Sequence, residues 1–314
     1  MTNHPPYRFP PPNPPTPYHC PVCGGLQSEP YLTKDGFDLV RCTTCAVIHV
    51  HPMPSPEALA AHYQDPAYFE GDFSQGYVNY EDVHKALAPH FRRRLRQLDE
   101  RFPERGRLLD FGCADGYFLE LAQVNGWRIA GVELSEDMAR LASARLGVGV
   151  AGSLDDLAGE TFEVITMWEV VEHLPDPVAT LGQLFGHLKP GGVLMLSTPN
   201  SAHWQAVRKP DAWISYRPPS HLFYFTAPTL EAVLAAAGFA QIEVRRFAPS
   251  PPLPAWLNRL SAPLAHAVTT GQARPWVVAL AAWRAVRVVG LVTQPVLHPA
   301  DDVYTALEAV GVRG

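Results

Sequence analysis

Long apolar runs are missing from this chain. The stretch from Trp276 to Trp283 comes closest, and it is too short and too soon interrupted, by Arg284 and Arg287, to span a bilayer. The first eighteen residues have no apolar core of the kind a secretory signal carries. They are crowded with proline, as in Phe9-Pro10-Pro11-Pro12-Asn13-Pro14-Pro15, and read as a flexible or polyproline tail. Positive charge is in deficit too. With 25 Lys and Arg against 31 Asp and Glu the formal net charge is -6, which leaves no electrostatic footprint for RNA or DNA and disfavours nucleic acid as substrate or partner. Cysteine is scarce, 5 in 314 residues, yet four of them stand in two C-x-x-C pairs. Without an export signal that pattern points to metal thiolates in a reducing cytosol rather than to disulfides, so a cytoplasmic protein is expected.

The 47% of hydrophobic residues is enough to bury one large core plus appendages. That core is expected around Leu108-Leu109-Asp110-Phe111-Gly112-Cys113-Ala114-Asp115-Gly116-Tyr117-Phe118, where an apolar strand pattern breaks on an acid and two glycines before a helical pattern begins. This reads as the first strand, loop and helix of an α/β nucleotide-binding sheet. Two familiar versions are excluded, because G-x-G-x-x-G needs glycine at 114 and 117 and a phosphate-binding Walker loop needs Gly-Lys-Ser/Thr. Gly112 and Gly116 let backbone N–H groups approach a ligand, and Asp110 sets a carboxylate at the carboxyl end of the strand, where open α/β sheets bind ligands. A cationic or amine-bearing ligand would suit it.

Upstream, Cys20-Pro21-Val22-Cys23 and Cys42-Thr43-Thr44-Cys45 are separated by eighteen residues between the inner cysteines, the spacing of a zinc ribbon. Four thiolates would fill the tetrahedral shell of Zn²⁺ and leave no open position, so Cys20, Cys23, Cys42 and Cys45 predict a structural zinc. Lys34-Asp35-Gly36 between apolar flanks predicts a β-hairpin over Tyr31 to Val40. His49 and His51 read as ordinary polar residues because the shell is already full. Farther on, Arg92-Arg93-Arg94 reads as the solvated face of a helix whose Phe91, Leu95 and Leu98 point inward.

The Asp110 stretch resembles motif I of class I S-adenosylmethionine (SAM) dependent methyltransferases, D-x-G-x-G-x-G, matched at Asp110, Gly112 and Gly116 with Ala114 in place of the middle glycine. Arg128 to Val132 reads as the second strand, closing on Glu133 about twenty residues after the loop, and the resemblance implies that Glu133 accepts both ribose hydroxyls. Val148 to Ala151 reads as a short third strand. The resemblance places the adenine against the residues that follow it, Ser153 and Leu154, with Asp155 as the alternative. Phe162 to Met167 reads as the fourth strand. The residues after it, Trp168-Glu169-Val170-Val171-Glu172-His173-Leu174-Pro175-Asp176-Pro177, closely resemble the corresponding motif of the ubiquinone-biosynthesis O-methyltransferases and their relatives, which implies that Trp168 contacts SAM. The N/D-P-P-Y/F motif of methyltransferases acting on amide or exocyclic amino nitrogen is absent there. Leu188-Lys189-Pro190-Gly191-Gly192 before a fifth strand, Val193 to Ser197, is a further landmark of the superfamily.

The resemblance thus implies an α/β protein with a Rossmann-like seven-stranded methyltransferase sheet, helices on both faces, a small N-terminal zinc ribbon and a C-terminal helical insert. The expected organisation is a Pro-rich tail over 1–18, the ribbon over 19–50, and a helical aromatic connector over 51–105 whose tyrosines either form a lid or dock the ribbon. The SAM-binding core follows over 106–248, the insert over 249–300, and the last strand over 301–314, assigned to Asp302 to Leu307 because the fold needs an antiparallel last strand. The insert is expected either to pack on the protein or to lie at a membrane surface. His173 and His221 are the candidate bases, since His exchanges protons near neutral pH. Glu169, Glu172 and His173 match an E-x-x-E-H cluster that binds a divalent cation in some ubiquinone-type O-methyltransferases. The expected activity is SAM-dependent O- or C-methylation of a small-molecule, sugar-nucleotide or lipid-linked acceptor. A non-catalytic binding module on the same fold is one alternative, and a ribbon-bearing ribosomal RNA methyltransferase, disfavoured by the acidic balance, is another.

Overall fold

The structure, a computed structural model, describes residues 17–64, 80–247, 285 and 302–314. The proline-rich tail, the connector tyrosines from Tyr68 to Tyr77 and the apolar segment around Trp276 lie outside the described residues. Among the described residues no helix is long and apolar enough to cross a membrane.

In chain order the elements that carry the argument are β1 (Ser28–Lys34), β2 (Phe37–Cys42), β3 (Ile48–Val50), α1 (Pro56–Gln64), α2 (Tyr80–Arg101), β4 (Arg107–Phe111), α3 (Tyr117–Val124), β5 (Arg128–Val132), α4 (Glu136–Leu146), β6 (Phe162–Trp168), α5 (Pro177–His187), β7 (Leu188–Pro199), α6 (Trp204–Arg208), β8 (Phe223–Tyr224), α7 (Ala227–Ala236), β9 (Ala240–Phe247) and β10 (Ala306–Val312). Local chemistry sets several of the boundaries. Asp35 and Gly36 both take positive φ, 51° and 85°, the left-handed pair that closes a two-residue hairpin, and β1 pairs with β2 as expected. The α4 helix starts where Ser135 accepts the Met138 N–H and ends on Gly147 at φ 69°.

Two sheets result. The larger has the order β5-β4-β6-β7-β10-β9, with β5, β4, β6 and β7 parallel and β10 antiparallel to both its neighbours. Helices cover both faces. On one side α5 and α7 bring Leu181, Leu184, Leu230 and Val233 against Ile165, Met167, Leu194 and Leu196. On the other α2, α3 and α4 bring Phe91, Leu95, Phe118, Leu119, Ala142 and Leu146 against Val164, Val193 and Met195. Burial on both faces is why β6 and β7 read as continuous apolar runs rather than alternating ones.

Three expectations about this sheet need correction. The third predicted strand shrinks to one bridge, Ala151 to Val132, so among the described residues the sheet has six strands rather than seven. Gly147, Gly149 and Gly152 bracket that segment, and glycine weakens strand pairing. The last strand is antiparallel as expected but begins at Ala306 rather than Asp302. The Asp302 carboxylate takes the Tyr304 N–H at 3.0 Å and the Asn200 amide at 3.1 Å, which holds the approach to the strand in a turn. Arg94 is not solvated: it is 6% exposed and its Nε donates to Glu308 on β10 at 3.0 Å, because it shares the inward helix face with Phe91 and Leu98.

The smaller sheet has the order β1-β2-β3-β8, three strands from the N-terminal segment and one from the core.

Candidate active site

The strand order reverses at β4, with β5 on one side and β6 on the other, so the crevice beyond its carboxyl end is where such a sheet offers space to a ligand. Asp110, near the end of β4, is 2% exposed and accepts the Thr166 hydroxyl from β6 at 2.6 Å. Burial pushes its carboxyl up to about 7 even though that hydrogen bond pulls the other way. Next, Gly112, Ala114 and Gly116 take φ of 78°, 47° and 80°. These steps fold the loop back on the end of β5: the Gly112 and Cys113 N–H groups donate to the Val132 carbonyl at 2.8 and 3.1 Å and the Gly116 N–H to the Cys113 carbonyl at 2.9 Å, so the loop's N–H groups serve its own fold rather than facing outward as expected. A Cβ on Gly112 would stand 2.6 Å from Val170, so only glycine lets the loop after β6 lie against this one. Ala114 is an L-residue in left-handed backbone, at a cost of about 1 kcal/mol, which explains why the resembling motif has glycine there.

Glu133, just past β5, accepts the Ala114 N–H through one oxygen and the Ser135 N–H through the other, each at 2.9 Å. Each oxygen keeps capacity for a further donor. Burial raises this carboxyl, and the two N–H bonds oppose the rise. Leu134, which sequence reasoning passed over, is 66% exposed beside it. The available signal was an apolar residue directly after a strand-ending acid. Of the adenine candidates Ser153 and the alternative Asp155 are at the surface, the Ser153 N–H and hydroxyl both donating to Asp156 at 3.0 and 3.2 Å. Leu154 packs in the core.

At the end of β6 the Trp168 ring lies 4.1 Å from the Arg94 guanidinium and edge-on to Phe118 at 5.3 Å. Its Nε1 is buried with no hydrogen-bond partner among the described residues. Glu169 follows with φ 56°, and this left-handed step sends its carboxylate away to the Ser197 hydroxyl at 2.7 Å. Glu172 is 1% exposed. One of its oxygens accepts the Thr198 hydroxyl at 2.9 Å and the other, Oε1, is buried without a partner among the described residues. Burial, reinforced by the Glu169 charge, raises the Glu172 carboxyl well above the usual range.

His221 is buried, and its Nδ1–H donates to the Ser215 carbonyl at 2.8 Å, so Nε2 is the open acceptor. Burial and the neighbouring His173 lower its pKa well below the usual histidine value, and the ring is neutral. The two histidine rings meet edge-on, centroids 4.7 Å apart. Ligand-type atoms of Glu172, His173 and His221 all lie within 4.8 Å of one another. The expected cluster of Glu169, Glu172 and His173 therefore assembles differently. His221 takes the place of Glu169, because the Leu222 N–H donates to the Glu172 carbonyl at 2.7 Å and draws the distant segment in.

The four ribbon cysteines come together as expected. Cys20 and Cys45 sulfurs are 3.6 Å apart, Cys23 and Cys42 sulfurs 3.7 Å, and all four lie within 4.8 Å. A tetrahedron with metal–sulfur bonds of about 2.3 Å has edges of about 3.8 Å, so the set fits Zn²⁺. Both knuckles are built alike, with Gly24 and Ala46 after the second cysteines at φ 70° and 61° and donating back to Cys20 and Cys42. His49 is not an ordinary polar residue. It is 1% exposed, stacked on Phe223 at 5.6 Å and bonded to the Tyr18 hydroxyl at 3.1 Å.

A family model described as a methyltransferase domain matches residues 81–244, just over half of the chain. The chain belongs to the methyltransferase-domain family. The family resemblance read from Asp110, Gly112, Gly116 and the residues after β6 is borne out at this level. A SAM-dependent methyltransferase from Archaeoglobus fulgidus shares the fold at 19% identity, covering 78% of this chain and 99% of that one with a TM-score of 0.51. Phosphoethanolamine N-methyltransferase 2 of Haemonchus contortus, solved in complex with SAM, does so at 17% identity, covering 85% and 62% with a TM-score of 0.51. Both bear out the Rossmann-like α/β methyltransferase fold. The ubiquinone biosynthesis O-methyltransferase of Xanthomonas axonopodis pv. citri is 38% identical over 107 residues, 31% of this chain and 45% of that protein. The chain thus matches less than half the length of this relative.

Proposed function

We propose that the protein transfers a methyl group from SAM to an oxygen or carbon of a small organic acceptor. The observation that carries this reading is a ligand cradle at the carboxyl ends of β4 and β5 together with a buried neutral histidine drawn against the loop after β6. Glu133 has spare acceptor capacity on both oxygens for a ribose diol, and Leu134 offers open apolar cover for a purine. Asp110 suits the cationic methionine end, and the unpartnered Trp168 Nε1 marks a donor still wanting an acceptor. Similarity to the Xanthomonas ubiquinone biosynthesis O-methyltransferase supports oxygen as the acceptor atom. Small molecules, sugar nucleotides and lipid-linked compounds all fall within the proposal, as does the division into ribbon, connector, core and insert.

Methyl transfer from a sulfonium is an in-line displacement, so aligning acceptor and methyl supplies much of the rate. A hydroxyl acceptor must also lose a proton. Neutral His221, with Nδ1 committed to Ser215, has Nε2 available to take it. The second reading is that Glu172, His173 and His221 hold a divalent cation that acidifies the hydroxyl instead, favoured by the unpartnered Glu172 Oε1.

With methyl-labelled SAM and a fractionated metabolite extract, the wild-type protein is expected to label a small molecule. His221→Ala is expected to bind SAM normally and lose about 10²- to 10⁴-fold in transfer. Undiminished transfer in His221→Ala would place the base elsewhere. Loss of wild-type transfer on chelation, with zinc retained in the ribbon, would select the cation reading.

A further inference from the structure

The N-terminal ribbon converges on one short segment of the core, the one that carries His221. β3 pairs with β8, Ile48 opposite Tyr224 and His49 opposite Phe223. The Val50 N–H donates to the Leu222 carbonyl at 2.9 Å, while the Leu222 N–H donates to Glu172, so this residue is tied on one side to the ribbon and on the other to the loop of His173. From the hairpin tip, Lys34 Nζ donates to the Asp211 carbonyl at 2.9 Å. Between these ties the hydroxyls of Tyr31, on β1, and Tyr216 share a hydrogen bond of 2.9 Å, and Tyr216 is fully buried.

Tyr216 sits where it can govern His221. It directly follows Ser215, whose carbonyl receives the His221 Nδ1–H. Its ring meets Tyr224 edge-on at 4.9 Å, and the Tyr224 hydroxyl donates to the His221 carbonyl at 2.8 Å. The groups that hold the tautomer and the backbone of His221, the Ser215 carbonyl and the Tyr224 hydroxyl, thus both adjoin Tyr216, the residue that Tyr31 bonds. The cradle at Glu133 is built differently, with its donors coming from Ala114 and Ser135 of the core.

We propose that the ribbon is a positioning part of the acceptor side: Tyr31 acts through Tyr216 to hold the tautomer and placement of His221, and zinc in the ribbon sets whether that hold exists. The catalytic meaning of His221 rests on the proposed function; its physical placement does not. Zinc loss or loss of the Tyr31 hydroxyl should therefore disturb the His221 ring and leave SAM binding alone.

The test is nitrogen-15 NMR of histidine rings in the full-length, zinc-loaded protein, with the His221 signal assigned by its loss in His221→Gln. Wild type should show the neutral Nδ1–H tautomer. Tyr31→Phe should move that signal toward tautomer averaging and speed exchange of the Leu222 amide about tenfold, with zinc content unchanged. Tyr216→Phe should do the same, and the double variant no more, because the two hydroxyls share one bond. Chelating zinc from the wild type should reproduce the His221 change. An unchanged His221 signal and unchanged Leu222 exchange in Tyr31→Phe would overturn the proposal; should that variant fail to fold, the same readouts on Lys34→Met decide it. Calorimetry with SAM runs alongside. Absent binding in the wild type counts against the functional reading alone, while SAM affinity that falls with Tyr31→Phe counts against this one.

Discussion

Replacing Asp110 by asparagine should remove a pH dependence of SAM binding that the wild-type protein shows. Burial pushes the Asp110 carboxyl up to about 7 in the free protein, against about 3.9 for aspartate in water. Between those values the folded chain holds a proton that the unfolded chain does not, so Asp110 contributes stability that is fully present below pH ~4 and lost as the pH rises through ~7, about 4 kcal/mol over the window. A bound ligand carrying a sulfonium and an ammonium reverses the preference, because it favours the ionised carboxylate. Binding must then expel the proton at low pH, and affinity rises with pH. From pH 5.5 to 7 the ionised fraction of a group titrating near 7 grows about fifteenfold, so the dissociation constant should fall about fifteenfold, or about 1.6 kcal/mol. The α-amino group of SAM stays charged across that range, and the Asp110→Asn variant separates Asp110 from Glu133, whose carboxyl burial also raises. Calorimetric titrations at pH 5.5, 6.25 and 7 should show the trend in the wild type, and Asp110→Asn should be flat and more stable to denaturant at pH 7 than the parent. Parallel pH profiles in the two proteins would refute the reasoning.

Cys42→Ser should yield protein without stoichiometric zinc by elemental analysis, with hydrogen exchange accelerated in β1 to β3 and protection kept in β4, β6 and β7. Glu308→Ala should strand the buried Arg94 guanidinium and cost about 3 to 5 kcal/mol in chemical denaturation, because breaking one partner of a buried pair leaves an uncompensated charge. A cost below about 1 kcal/mol would mean that Arg94 finds water or another acceptor.

Much of the fold was legible because local and tertiary signals agreed. The β5 strand, Arg128–Val132, falls where the apolar pattern puts it, closing on Glu133, and Lys34-Asp35-Gly36 marks the hairpin. The misses share a different cause. Arg94 reads as surface until Glu308, far along the chain, supplies a partner inside. Glu169 looks like a neighbour of Glu172 and His173 on a helical turn, but the chain takes a left-handed step at Glu169 and only a short 3-10 turn over Val171–His173. His221 joins that group through hydrogen bonds made by Leu222, a contact no spacing rule encodes. His49 looked idle because ligand counting was complete without it, while its burial against Phe223 depends on β8.

The central claim is that this chain binds SAM through the cradle formed by the loop after β4 and Glu133. Titration of SAM into the purified full-length protein by isothermal calorimetry tests it most directly. One saturable site per chain is expected, competed by S-adenosylhomocysteine and weakened about a hundredfold in Glu133→Ala, the loss of charge-assisted contacts worth about 2 to 3 kcal/mol. No saturable heat in the wild type, or equal affinity in Glu133→Ala, would contradict the account.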